Sequence, residues 1–338
     1  MLRIFHHSRF QFIRHWRLAA ILTAAFIGAG LVSFAITGGV RYSIEFTSGT
    51  LVQLQFKQSP DVGVIRSTLD AAGIKGAEIQ QFGNDLEYTV RAQEEGDAGA
   101  SPTGESGVAK RIENALDAKF GDGNVTVVRT ETVGPRVGSE LRRGAMLAML
   151  IASLFTLIYL AIRFDWRFGA AAVLATAHDI LVTFAFIKLM NIEVSLTVVA
   201  AILTLLGYSA NDTIIIFDRV REDLRKQRKG ESLRDVLDRA INETLPRSVL
   251  THATTLAATL ALLIFAGEVI RPFAWVMAFG IFVATFSSVY VAGPLLLWIE
   301  SRYPRSTSEA AGRAVRAGAT AEGAVASRPR SSGRVAAN

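Results

Sequence analysis

Six long apolar runs constrain the fold of this 338-residue chain more than any other feature. An α-helix rises about 1.5 Å per residue, so about 20 apolar residues cross the hydrocarbon core of a bilayer. Half of the residues are hydrophobic, and they are concentrated in these runs instead of alternating as in a soluble domain. The sequence therefore predicts a polytopic α-helical membrane protein with transmembrane helices at 18–36, 144–162, 168–187, 194–217, 248–266 and 273–299.

The segments between the runs differ in charge. Basic residues are concentrated in residues 1–17, in the turn after the second run, in residues 218–246 and in residues 300–338. The other two short links carry few charges. Because cytoplasmic segments retain positive charge, the sequence predicts that both termini are cytoplasmic. The net charge of +6 is then an orientation signal, and we expect no nucleic-acid binding. The first run is long for a signal peptide, which favours an uncleaved anchor.

Residues 40–140, between the first two runs, follow a strand–helix–strand–strand–helix–strand pattern typical of a ferredoxin-like α+β domain. By orientation this domain is expected to be extracytoplasmic. Strands are predicted at 50–57, 77–82, 86–92 and 125–132, and helices after Asp61 and at 108–120. The segment 94–107 is rich in Gly, Ser, Glu and Pro, which predicts a mobile loop.

Two cytoplasmic segments have contrasting patterns. Residues 218–246 are polar but keep apolar residues at helical intervals, which predicts an amphipathic helix near the membrane surface. Residues 300–338 have no apolar period and are rich in Ala, Gly, Ser and Arg, which predicts a disordered basic tail.

Ionisable residues inside the apolar runs are the strongest indication of function. An Asp at the centre of a span costs about 2.5–3.5 kcal/mol to insert, so it is usually functional or paired. Asp212 lies six residues, or about 9 Å, before Asp218 at the cytoplasmic end of the fourth run. It could load and release a proton. Alternatively it could join two helices through hydrogen bonds, as its neighbours Asn211 and Thr213 could also do.

Two further pairs of polar residues have two interpretations each. Arg247 opens the fifth run with Thr251 one turn later on the same face. This arginine could pair with Asp212 and respond to its charge, or it could reach for lipid headgroups. His178 and Asp179 lie near the middle of the third run, where they could relay protons or fix helix packing. Glu193, Glu268 and Arg271 lie at the outer rim and are expected to be solvated.

Several of these segments match one family in combination. They are Phe46-Thr47-Ser48-Gly49-Thr50, residues 133–141, His178-Asp179, residues 207–213 with 217–222, and residues 242–248. Together they resemble the SecF members of the SecD/SecF family of protein-export membrane proteins. This sequence departs from the family pattern at Ser48, where a glycine is usual, and at Pro246 and Ser248 beside Arg247.

The resemblance implies a function that composition and spacing do not. It implies an RND-type six-helix fold in the bacterial inner membrane and pairing with SecD. It further implies association with the SecYEG channel, often together with YajC, and with SecA indirectly. The chain would use the proton gradient to draw unfolded polypeptide outward, with Asp212, Arg247 and Thr251 in the proton path. No enzymatic activity, cofactor or metal is expected, and the membrane helices are expected to be surrounded by lipid. A passive scaffold of the translocon and an RND small-molecule exporter half are the alternatives.

Overall fold

The computed structural model describes residues 10–92, 107–226 and 231–304. Within these residues, six helical segments are long and apolar enough to cross a membrane, which confirms the predicted number of spans. The predicted loop at 94–107 lies almost entirely, and the predicted tail beyond residue 304 entirely, outside the described residues.

A short 3-10 helix at Phe12–His15 precedes the first span. In chain order, the remaining elements are α1 (Trp16–Thr37), α2 (Ile44–Thr47), β1 (Gly49–Phe56), α3 (Val62–Ala71), β2 (Glu78–Gln81), β3 (Glu87–Ala92), α4 (Val108–Phe120), β4 (Val125–Val133), α5 (Pro135–Arg163), α6 (Trp166–Leu189), α7 (Leu196–Arg225), α8 (Leu233–Phe265), α9 (Arg271–Tyr290) and α10 (Ala292–Arg302).

The helices form an inner and an outer group. More than half of the residues in the most apolar stretches of α6, α7 and α9–α10 are buried within the chain, whereas few are buried in those of α1, α5 and α8. Glycines permit two of the close contacts. A Cβ on Gly30 of α1 would lie 2.5 Å from the Cβ of Ala185, and one on Gly280 of α9 would lie 2.1 Å from Leu205. The inner group is therefore packed by its own side chains, while the outer faces are left for lipid or a partner.

The soluble domain is a four-stranded antiparallel sheet in the order β2-β3-β1-β4, with α3 and α4 connecting the strand pairs. This is the split βαβ arrangement that the sequence predicts. Alternate residues of β1 point inward, so Val52 and Leu54 pack with Ile65 of α3 and Ile112 of α4. Asp61 caps α3 as expected, since its carboxylate accepts a hydrogen bond from Gly63 N at 2.6 Å.

The structure differs from the prediction for residues 218–246. No separate amphipathic helix is present in the described part of this segment, because α7 continues to Arg225 and α8 already begins at Leu233. Val236, Leu237 and Ile241 are buried against Ile13 and the residues of α10. The helical period of these apolar residues was correctly recognised, but it serves packing within the protein and not a membrane surface.

The last span is also divided. Its helix ends at Tyr290, and a new helix begins at Ala292 after Val291 departs from helical geometry, with φ −113° and ψ −52°. Pro294 follows three residues later and disfavours a continuous helix because it has no N–H to donate. By contrast, α8 passes through Pro246 without interruption.

Candidate functional site

The centre of α7 carries polar residues on two sides. Ser209 faces α6, whereas Tyr208 and Asp212, four residues apart, share the side that faces α8. Because residues three to four positions apart align on one helix face, this sequence builds two separate polar contacts from a single span.

Asp212 is buried between α7 and α8, with 4% of its surface exposed. Ser248 donates its hydroxyl hydrogen to Asp212 Oδ1 at 2.6 Å. The second carboxylate oxygen, Oδ2, is buried and has no hydrogen-bond partner among the described residues. A buried oxygen without a hydrogen bond is costly in a low-dielectric site. Oδ2 is therefore the atom of this site that can accept a proton or a further hydrogen bond.

Arg247 does not meet Asp212 in this chain. It is exposed, and it forms no side-chain hydrogen bond or ion pair with any described residue. Successive residues of an α-helix point about 100° apart, so only one of two neighbours can face α7, and that neighbour is Ser248. Thr251 is exposed on the same face as Arg247, and its hydroxyl donates to the Arg247 carbonyl at 2.9 Å. The shared face is as predicted, but the direct contact with Asp212 is absent.

The two residues beside Asp212 are separated by the helix. Asn211 is exposed, while Thr213 is 1% exposed and belongs to the interior. Thr204 and Gly207 are exposed at helical spacing before Asn211. These three residues of α7, together with Arg247 and Thr251 of α8, form what we call the polar face. A polar surface at membrane depth is costly against lipid, which favours coverage by a partner.

His178 and Asp179 form a second buried cluster on α6. The imidazole Nδ1 of His178 lies 2.9 Å from Asp179 Oδ1, and Ser209 of α7 donates a short hydrogen bond to the other oxygen, Oδ2. A small cavity beside this cluster is lined by Asp179, Ser209, Thr183, Leu205 and Gly280 among others. Both carboxylate oxygens of Asp179 thus have a polar partner, whereas only one oxygen of Asp212 has one. The bond from Ser209 to Asp179 also links α7 to α6.

Sequence reasoning missed His252. This residue of α8 is 6% exposed, lies one turn after Ser248, and its ring meets that of Tyr208 edge-on at a centroid distance of 5.2 Å. The Tyr208 hydroxyl also lies 3.2 Å from Thr255 Oγ1. The criterion that found Asp212, an ionisable residue inside an apolar run, would have found His252 as well.

A contact between the soluble domain and the membrane helices was also missed. Arg91 of β3 forms an ion pair with Glu193 in the α6–α7 loop and donates to the Tyr42 carbonyl at 2.7 Å. The prediction that Glu193 is merely solvated is therefore wrong. Burial raises the pKa of Glu193, while the positive charge of Arg91 acts in the opposite direction. Glu268 and Arg271, also expected to be solvated, pair with each other.

The first turn of α7 is held by the segment that follows α1. Glu45 of α2 accepts a hydrogen bond from Leu196 N at 2.6 Å, and Ser43 N donates to the Val194 carbonyl at 2.9 Å. A carboxylate at a helix N-terminus is stabilised by the unpaired backbone N–H groups and the helix dipole. The domain and the helix that carries Asp212 are thus directly connected.

No group of three or more His, Cys, Asp or Glu side chains comes together as a possible metal site within residues 10–92, 107–226 and 231–304. The chemistry of the described site is consequently that of carboxyl, hydroxyl and imidazole groups.

Two family models match the chain. Residues 112–302 match the model described as protein export membrane protein SecD/SecF, C-terminal, and residues 34–60 match the SecD/SecF GG motif. The second match covers the segment around α2 that contacts the start of α7.

Similar proteins and structures agree with these matches. The chain is 70% identical over 321 residues to the protein translocase subunit SecF of Gemmatimonas aurantiaca, which covers 95% of this chain and 96% of that protein. It is 40% identical to that of Vibrio alginolyticus over 83% of this chain and 87% of that protein. The crystal structure of SecDF from Thermus thermophilus, described as a translocon-associated membrane protein, matches with a TM-score of 0.75 and 35% identity over 87% of this chain. This chain spans 39% of that longer SecDF chain.

Proposed function

The chain belongs to the SecD/SecF family of protein-export membrane proteins, and on this premise we propose that, with SecD, it uses the proton gradient to drive the late stage of protein export. The observation that carries the proposal is the buried carboxyl group of Asp212, with one hydrogen-bonded oxygen and one unpartnered oxygen inside a membrane helix. A group of this kind changes its charge at low structural cost when a proton is supplied.

Proton movement supplies enough energy for a conformational step. One elementary charge crossing 100 mV corresponds to about 2.3 kcal/mol. That is sufficient to shift a two-state equilibrium whose states differ by a few kcal/mol. In our proposal Asp212 receives a proton from the outer side and releases it to the cytoplasm. Each change of its charge alters the interaction of α7 with α8 and with SecD.

The contacts at the start of α7 connect this step to the soluble domain. Glu45 bonds the first turn of α7, and Arg91 of the domain bonds Glu193 just before it. We propose that a shift of α7 is transmitted through these contacts to the domain at residues 40–140. The domain would then bind and release the emerging polypeptide on the outer side of the membrane.

The polar face supports a direct role for SecD. Arg247, Thr251 and Asn211 are exposed at membrane depth, where unpaired polar groups are costly. In our proposal SecD covers this face, and Arg247 and Thr251 complete the proton path with SecD groups. His178 and Asp179 support the path from α6, and Thr213 lines its interior. Association with SecYEG, with YajC and indirectly with SecA would follow, with both termini in the cytoplasm.

The test is Asp212→Asn in the intact complex, which keeps the side-chain shape but removes the titration. We expect copurification with SecD to be unchanged and gradient-stimulated export to fall by about tenfold or more. Asp70→Asn, the same change on an exposed helix of the domain, is the matched control and should export normally.

Two results would overturn the proposal. Normal gradient-stimulated export by Asp212→Asn would show that this carboxyl group does not carry the proton. Loss of assembly with SecD, with export failing only in proportion, would instead support the scaffold alternative.

A further inference from the structure

We propose that His252 is a proton-relay residue that passes protons to Asp212 from the side of the membrane that holds the soluble domain. This inference rests on the proposed function above. His252 forms no part of the polar face and is a buried titratable group that the mechanism described so far does not use.

The geometry places His252 one helical turn from the hydroxyl group that bonds Asp212. Ser248 donates to Asp212 at 2.6 Å, and His252 follows Ser248 by one turn of α8, on the same side of the helix. Tyr208, one turn before Asp212 on α7, packs edge-on against the imidazole ring. His252 Nδ1 is buried and has no hydrogen-bond partner among the residues that the structure describes. The imidazole therefore has a nitrogen available inside the protein.

A third helix contributes to the same region. Leu205 of α7 contacts Gly280 of α9, and both helices start on the domain side. Seven residues further along each helix lie Asp212 and Ser287, which places them at the same depth. The hydroxyl of Ser287 is also buried and unpartnered in the described chain. Three polar side chains, on α7, α8 and α9, thus have free hydrogen-bonding capacity within about one helical turn of each other in depth.

The direction of transfer follows from depth. The first turn of α7 lies beside the segment that leads into the domain. Tyr208 precedes Asp212 by four residues, so it lies about 6 Å nearer to the domain side, and His252 is level with Tyr208. A proton that enters from the domain side consequently reaches His252 before Asp212.

The transfer balances without another reactant. The imidazolium of His252 gives its proton to the oxygen of the Ser248 hydroxyl, and that hydroxyl gives its own hydrogen to the Asp212 carboxylate, to which it already donates. Imidazole and carboxyl group are then both neutral, and the hydroxyl is unchanged. Histidine suits this role because imidazole titrates in the physiological pH range.

Few charged groups face His252 besides those named. Tyr208 and Asp212 face it from α7, and on α8 the nearest charged residue, Arg247, points to the exposed surface. The only titratable residues of α9 are Arg271 and Tyr290, at its two ends. His178 and Asp179 are held on α6, where Ser209 on another side of α7 bonds Asp179.

The experiment compares His252→Gln with His15→Gln, which changes an exposed histidine near the start of the chain. Gradient-stimulated export is measured in the SecD complex while the pH on the domain side is varied from about 5 to about 8. We expect export by the unmodified chain to depend on the pH of the domain side, and we expect His252→Gln to lower the rate by about tenfold and to remove this dependence. His15→Gln should keep both. An unchanged rate and pH profile for His252→Gln would overturn the inference.

A second measurement leaves His252 in place, in case its replacement prevents assembly. In complexes labelled with 15N-histidine, the imidazole titration of His252 is followed by NMR with and without Asp212→Asn. A relay requires the titration to shift when the carboxylate is removed, and identical titrations would reject it. If Asp212→Asn itself exports normally, the proposed function fails. If only His252→Gln exports normally, this inference alone fails.

Discussion

At the scale of single residues, the turn between α2 and β1 places a serine in a backbone conformation that favours glycine. Ser48 has φ 65° and ψ 171°, a conformation that is essentially restricted to glycine. Packing is also close at this turn, since a Cβ on Gly138 of α5 would lie only 2.4 Å from the Ser48 hydroxyl oxygen. The backbone of Ser48 is therefore strained at the junction between the domain and the membrane helices.

Ser48→Gly should therefore raise the stability of the chain. Relief of this backbone strain is worth about 1 kcal/mol after the greater freedom of glycine in the unfolded state is subtracted. The measurement is thermal unfolding in detergent. Ser48→Ala removes the hydroxyl but keeps the Cβ, so it is the matched control and should give no gain. An equal gain from both variants would mean that the hydroxyl, and not the backbone, carries the strain.

At the scale of elements, the α6–α7 loop is one of the connections between the soluble domain and the membrane helices. Val194 N donates a hydrogen bond to the Arg41 carbonyl at 2.8 Å, and Ser43 N donates one to the Val194 carbonyl. The side chain of Arg91 is 12% exposed and that of its partner Glu193 is 28% exposed, so this ion pair is shielded from solvent more than a surface pair. A few short segments thus fix the position of α7 relative to the domain.

The raised pKa of Glu193 gives this connection a pH dependence. Because the folded protein binds the proton more tightly than the unfolded chain, the contribution of Glu193 to stability is fully present below the ordinary glutamate pKa. It is lost as the pH rises through the raised pKa. Glu193→Gln removes this titration. The melting temperature of Glu193→Gln should therefore rise relative to that of the unmodified chain as the pH is raised from about 4 to about 7.

Glu140→Gln is the control for this measurement, since Glu140 is exposed on α5 and pairs with Arg136 in solvent. It should show no such trend. A melting temperature of Glu193→Gln that instead falls relative to that of the unmodified chain as the pH rises would contradict the assigned sign, and would mean that Arg91 outweighs burial.

At the scale of the whole molecule, the helices divide into a packed centre and an unpacked exterior. The most apolar stretches of α6, α7 and α9–α10 are more than half buried within the chain, whereas few residues are buried in those of α5 and α8. The polar face interrupts the exterior at α7 and α8, where lipid is an unfavourable neighbour. Among the described residues the inner helices thus pack against one another, and the polar face is a surface that suits a protein partner.

Cysteine cross-linking tests this division directly, since the chain has no native cysteine. Asn211→Cys and Thr251→Cys should each form a cross-linked product with cysteine-bearing SecD when the complex is assembled. Leu22→Cys, exposed on α1, should react with a maleimide reagent but give no such product, because α1 packs on α6 and α9. Equal cross-linking from Leu22 would place SecD on a different face.

The sequence by itself determined the number of spans, the order of strands and helices in the domain, and the presence of Asp212 within a membrane helix. Each of these follows from local quantities, namely the length of an apolar run, the alternation of a strand and the cost of a charge in hydrocarbon. The same reasoning would have found His252, because its signal is also local.

The tertiary structure alone decided which side chains meet. Whether Arg247 or Ser248 reaches Asp212 depends on the rotation of α8 about its axis. The sequence of α8 does not specify this rotation, and in the structure Ser248 makes the contact. Whether Val236 and Leu237 face lipid or α10 depends on a contact with residues far away in the chain. Arg91 and Glu193 are 102 positions apart, and only the docked domain brings them together. Such contacts are fixed by packing between elements, which no single segment encodes.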